Sequence, residues 1–247
     1  MKYILFFVSL AVILFSAWVS APQFWYPLGG MSQADISNMY YSAITPAGFT
    51  FAIWSVIYLS WIIVSILILW LPFRSFIKKT FPFLLIEDVS KKIIFLFSIA
   101  IVTSALWLIP WSYNSIGLSL CIMLFLLATL KYLFHKTRKS QPLLRWSVDL
   151  FLGWIHIATV ANVTVFLLYV GFSGWNIPEV YWAIAILGLA FLLTMYYQYR
   201  YHTYIISLVF IWTMLGEWVA HPAPFQRYAV MIYSIIIFLS MFIFRKQ

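Results

Sequence analysis

Few residues in this chain can do acid–base, nucleophilic or metal chemistry. It holds 6 Asp plus Glu, 4 His and 1 Cys among 247 residues, and hydrolytic or metal chemistry needs such groups clustered. Glu217 and His221 are the closest pair, four residues apart and therefore on one helical face at the end of an apolar run. That spacing allows an interfacial ion pair, a proton relay or half of a two-ligand metal site. His156 lies inside an apolar run while His135 and His202 neighbour basic residues, so a haem finds no axial pair at one depth. Cys121 stands alone, which excludes an intrachain disulfide and a cysteine metal cluster. No catalytic residue, metal site or required cofactor is expected from these groups.

The chemistry that the residue types do support is aromatic stacking, since the chain carries 13 Trp, 16 Tyr and 23 Phe. In the stretch Thr45–Ser65, Thr45 can cap a helix and Pro46 can start it. At about 100° per residue, Ala47, Phe51, Trp54, Tyr58, Trp61 and Ser65 then share one narrow face. Phe151, Trp154, Ala158, Asn162, Val165 and Tyr169 form a second stripe within about 80°. Ala100, Ser104, Trp107 and Trp111 form a shorter third. Such stripes serve either close helix packing, in which small residues admit neighbours and Trp fills volume, or the wall of a pocket for a flat apolar molecule. The segment Pro22–Thr45 adds Trp25, Tyr26, Tyr40 and Tyr41. It reads either as a lid over a pocket or as an aromatic segment resting in the headgroup zone.

The elements that must position these stripes are membrane spans. With 65% hydrophobic residues, 9% charged residues and a mean hydropathy of +0.98, an all-α polytopic membrane protein of about eight transmembrane helices is predicted. The runs are Tyr3–Ala21, Ala47–Leu71, Ile93–Trp111, Ser115–Phe134, Val148–Gly171, Glu179–Tyr199, Thr203–Ala220 and a last one ending at Phe244. The first is expected to be a span rather than a cleaved signal peptide, because Pro22 would follow the cut. Alternation from a cytoplasmic N-terminus puts every one of the 15 Lys and Arg except Arg227 on the inner side. The net charge of +9 is thereby a topology signal. A nucleic-acid partner is not expected, since no basic stripe interleaved with stacking aromatics lies on a soluble face.

Pro46, Phe51, Trp54 and Tyr58, spaced F-x-x-W-x-x-x-Y, resemble the second-helix signature of the tryptophan-rich sensory protein and translocator protein family (TspO/MBR, the peripheral benzodiazepine receptor). Trp154, Ala158 and Asn162, spaced W-x-x-x-A-x-x-x-N, resemble the signature of its fifth helix. Ser104 stands where the family's third helix usually carries Asn, and Asp149 to Phe151 replace the proline and tyrosine that lead into the fifth. The resemblance implies a TspO-like five-helix membrane bundle over 1–171, followed by three additional transmembrane helices over 172–247. It also implies a porphyrin or sterol-like ligand in a pocket under the first loop.

On that basis the expected site is Trp54, Tyr58, Trp107 and Trp154 against the ligand, with Pro46 and Phe51 in the same wall. Ala158 leaves room, Asn162 gives a polar contact, and Trp25 and Tyr26 close over it. Expected partners are the lipid bilayer, a hydrophobic small molecule and a second copy of the chain. The expected location is the plasma membrane with both termini cytoplasmic, in the role of sensor, chaperone or transporter. The rival is an assembly protein whose Trp ladders are helix-packing contacts.

Overall fold

The computed structural model describes residues 2–20, 31, 33–69, 79, 89–140 and 142–244. Among these the chain forms α1 Lys2–Ser20, α2 Gln33–Met39, a 3-10 turn Gly48–Ala52 and α3 Ile53–Leu69. There follow α4 Lys91–Ser112, α5 Ile116–Thr137, α6 Pro142–Tyr169, a 3-10 turn Gly174–Asn176, α7 Glu179–Tyr201, α8 Ile205–Ala220 and α9 Pro224–Ile243. Six of these segments are long and apolar enough to cross a membrane, with the first 3-10 turn counted with α3, and α1 and α8 supply the shorter apolar stretches Tyr3–Ser16 and Ile205–Ala220. The protein is an all-α polytopic membrane protein with a helix at each predicted span. In hydrocarbon every backbone donor and acceptor must pair inside its own segment, which leaves apolar runs of this length no alternative to the helix.

Two boundaries differ from the sequence reading. α6 starts at Pro142 rather than Val148, because proline suits the first helical position and the polar turn at Arg145–Ser147 lies outside the apolar run that hydropathy detects. The second span does not begin as an α-helix at Ala47. Its first residues form the 3-10 turn, and α-helix starts at Ile53. Within the first loop, α2 is a further short helix with Asp35 in its first turn.

The chain forms two compact units. The first comprises Met1–Gln33 and Ile53–Leu152. Here α1 packs on α3 and α4, and α4 packs on α5, around fully buried Trp61, Phe97, Ile101, Met123, Phe134 and Phe151. Hydroxyls tie helices together: Ser9 meets Ser65 at 3.2 Å and Ser60 meets Ser147 at 2.8 Å, contacts worth about 0.6 kcal/mol each between membrane helices. Arg138 clips the α5–α6 turn. Its Nη1 and Nη2 donate to the two carboxylate oxygens of buried Asp149, and its Nε donates to the carbonyl of Phe134 at 3.0 Å.

The second unit comprises Ala34–Ala52 and Gly153–Gln247. In it α7, α8 and α9 pack on one another and the 3-10 turn Gly48–Ala52 packs on α8. Ile44, Leu187, Phe210, Met214, Val230 and Ile237 form the core. Buried Gln198 of α7 joins all three helices, accepting from Ser207 Oγ at 2.6 Å and donating to Ser240 Oγ at 2.8 Å. His202 turns α7 into α8 with a left-handed backbone at φ 50°, its N–H on the carbonyl of Gln198 at 3.0 Å.

Candidate ligand-binding site

The aromatic stripe of the second span is real from Trp54 onward. Residues three and four apart on α3 are neighbours, so Trp54 and Tyr58 lie 5.5 Å apart at 31° and Tyr58 and Trp61 lie 5.2 Å apart at 56°. Phe151 of α6 fills the space beside them, 4.8 Å from Trp61 and 6.3 Å from Trp54. Trp61 and Phe151 are fully buried, whereas Trp54 and Tyr58 are half-buried. The arrangement is a shelf: two rings with open surface rest on two that are sealed. Edge and offset ring contacts of this kind add about 0.5–1.5 kcal/mol each beyond the area they bury, which stiffens the shelf.

Trp107 and Trp111 of α4 are buried and lie 5.2 Å apart at 32°. The indole N–H of Trp107 has no hydrogen-bond partner among the described residues. Ser104 spends its hydroxyl on its own helix, donating to the carbonyl of Ile101 at 2.7 Å.

The remaining predicted residues belong to the second unit. Phe51 meets Trp154 edge-on at 6.0 Å. Trp154 and Asn162 are buried and Ala158 is half-buried on the same helix. Pro46 lies against α8, where a Cβ on Gly216 would come within 3.1 Å of its ring. Trp54, Tyr58 and Trp107 thus fall in one unit and Pro46, Phe51, Trp154, Ala158 and Asn162 in the other. Trp25 and Tyr26 lie outside the described residues.

The largest departure is at the start of the ladder. Thr45 does not cap the second span: its Oγ1 accepts from the amide of Ser42 at 3.0 Å and so closes the preceding turn. The local cap is replaced by tertiary partners. The amide of Ala47 donates to the carbonyl of Gly216 at 3.1 Å, and the indole N–H of Trp212 donates to the carbonyl of Thr50 at 2.9 Å. His221 Nε2 lies 3.0 Å from the carbonyl of Thr45. Gln226 donates to the carbonyl of Ala43 at 2.6 Å, and the amide of Ala43 donates to Glu179 at 2.6 Å. Gly216 is required here, since any Cβ would collide with Thr50 Oγ1. The segment 41–51 is therefore seated on α7, α8 and α9 by its own backbone, a seat that stripe analysis missed. Its signal in the sequence was two pairs each four residues apart, Trp212 with Gly216 and Glu217 with His221, along α8 and just beyond it.

Glu217 Oε2 lies 3.4 Å from His221 Nε2. Tyr41 Oη lies 3.3 Å from His221 Nδ1. An Nε2–H donating to Thr45 and an Nδ1 accepting from Tyr41 would satisfy both nitrogens of a neutral imidazole. Burial pushes the His221 pKa down, against smaller upward effects of the Thr45 hydrogen bond and the Glu179 charge. Among the described residues no three His, Cys, Asp or Glu come together to hold a metal ion. Arg227 donates its Nε to the carbonyls of Trp218 and His221 at 3.2 and 3.1 Å, serving the exposed carbonyl end of α8. His156, which faces away from the α6 stripe, packs its ring against Tyr197 of α7 at 5.2 Å.

A family model described as TSPO-like protein matches residues 3–244, running through the last helix. No curated protein and no solved structure matches.

Proposed function

The chain belongs to the TSPO-like protein family, and from that premise we propose that it binds a flat hydrophobic ligand, a tetrapyrrole or a sterol-like molecule, as a membrane sensor, chaperone or transporter. The observation that carries this reading is the shelf of half-buried Trp54 and Tyr58 on fully buried Trp61 and Phe151. A planar ligand gains most from rings that are already fixed, because ordering them on binding costs nothing further. Trp107 offers a buried N–H donor in the same unit. The distribution of basic residues supports cytoplasmic termini.

The packing reading draws on one observation of its own: Trp61 and Phe151 are sealed against each other at 4.8 Å, as helix contacts would be. Titration of the purified protein in detergent with protoporphyrin separates the two. Saturable binding of about one porphyrin per chain is expected from a preformed pocket. Linear uptake equal to that of protein-free micelles would overturn the ligand reading in favour of assembly.

A further inference from the structure

Two lysines of the first unit converge on one tyrosine. Lys92 is the second residue of α4 and Lys136 the last but one of α5. Their Nζ atoms stand 5.3 and 5.2 Å from the centroid of the Tyr132 ring. The packing of α4 on α5 sets the start of one helix beside the end of the other, and Lys136 reaches back a full turn to a residue four positions away. Lysines at a membrane surface ordinarily lay the stem on apolar surface and carry the ammonium outward to water. These two instead hold their charges against the ring of a residue that lies a turn inside the end of α5.

No carboxylate pairs with Lys92 or Lys136 among the described residues: Asp149 is engaged by Arg138, Glu217 faces His221, and the first turn of α4 carries no acidic residue. Lys91, Lys131 and Lys139 are exposed close by in the chain and add positive charge. Like charges held against one ring repel, whereas an anion that both ammonium groups reach replaces that repulsion with charge-assisted hydrogen bonds. The adjoining surface indicates which anion. Phe95, about one turn into α4, is 58% exposed, and Phe125, two turns from Tyr132 on the same face of α5, is 57% exposed. The cationic spot thus continues into apolar surface on both helices. A free phosphate would use the lysines alone, while a phospholipid uses both. A zwitterionic headgroup would bring a third cation to the same place.

We propose that Lys92 and Lys136 bind the phosphate of an anionic phospholipid, with Tyr132 orienting their ammonium groups and the acyl chains lying along Phe95 and Phe125. Basic groups brought together between two helices suit such headgroups. The lipid ties α4 to α5 and so stabilises the folded bundle.

The test is the melting temperature of the full-length, delipidated protein in dodecyl maltoside with added dioleoylphosphatidylglycerol, dioleoylphosphatidylcholine or inorganic phosphate, since a ligand that binds only the folded state raises it. A rise of several degrees with phosphatidylglycerol, and at most a slight one with phosphatidylcholine or phosphate, is expected. The double variant Lys92→Gln with Lys136→Gln should abolish the preference. Lys131→Gln with Lys139→Gln removes the same charge close by in the chain and should keep it, which separates a site from a diffuse basic surface. Native mass spectrometry of the same samples, counting bound phosphatidylglycerol, serves where a variant melts too broadly to read. Equal shifts with the two lipids, a preference that survives in Lys92→Gln with Lys136→Gln, or one lost equally in Lys131→Gln with Lys139→Gln would each overturn the proposal. A rise with inorganic phosphate equal to that with phosphatidylglycerol would overturn the choice of a lipid over a free anion.

Discussion

The amide of Ala47 and the carbonyl of Gly216 meet at 3.1 Å, joining the segment that leads into the second span directly to α8. This contact needs a residue without a side chain. Gly216→Ala should therefore lower stability by about 1–3 kcal/mol, the usual cost of overpacking, and the thermal melt should shift down accordingly. Gly48→Ala is the control: nothing lies within 4 Å of the added Cβ, and its melt should move little.

The same seat is pH-sensitive at His221. Burial lowers the His221 pKa below its ordinary 6.5, so between those two values the unfolded chain binds more protons than the folded one. Stability then rises with pH across that window, is fully present above 6.5, and is lost progressively as the pH falls below it. Glu217, Glu179, Tyr41 and the Thr45 carbonyl all face the ring or act on it. Melting temperatures measured from pH 5 to 8 should fall toward the acid end in the wild type, and the fall should be shallower in His221→Gln.

What the sequence made legible was the set of spans and the stripe from Trp54 to Ser65, because long apolar runs and a 3.6-residue period survive any tertiary context. The stripe's first two members, Ala47 and Phe51, lie ahead of the α-helical part of the span, which begins at Ile53. Their conformation is decided by Gly216, Trp212 and His221, residues more than 150 positions away that no local capping rule can include. Helix α2 was missed because seven residues, Gln33–Met39, carry no apolar period to detect. The α6 stripe includes Phe151, but that it closes against Trp61 was beyond a single-helix projection.

Asp149 and Arg138 provide a separate test of the first unit. Asp149 is 1% exposed and its carboxylate is engaged by the guanidinium. Removing one partner of such a pair leaves the other charge uncompensated, at a cost of about 3–5 kcal/mol when fully buried and less here, where Arg138 keeps 18% exposure. Arg138→Met should lower the melting temperature strongly. The double variant Arg138→Met with Asp149→Leu should recover most of the loss, because an apolar pair fills the site without an unpaired ion.

The central claim is that Trp54 contacts a flat ligand rather than only its neighbours Tyr58 and Phe151. Its most direct measurement is quenching of tryptophan fluorescence by protoporphyrin, titrated into wild type and Trp54→Leu with melting temperatures recorded on the same samples. Loss of one aromatic face should weaken binding by about tenfold, equivalent to about 1.4 kcal/mol, in Trp54→Leu, with a melting temperature close to wild type. Unchanged porphyrin affinity in Trp54→Leu, with a lowered melting temperature, would contradict the claim and make the aromatic shelf a packing contact.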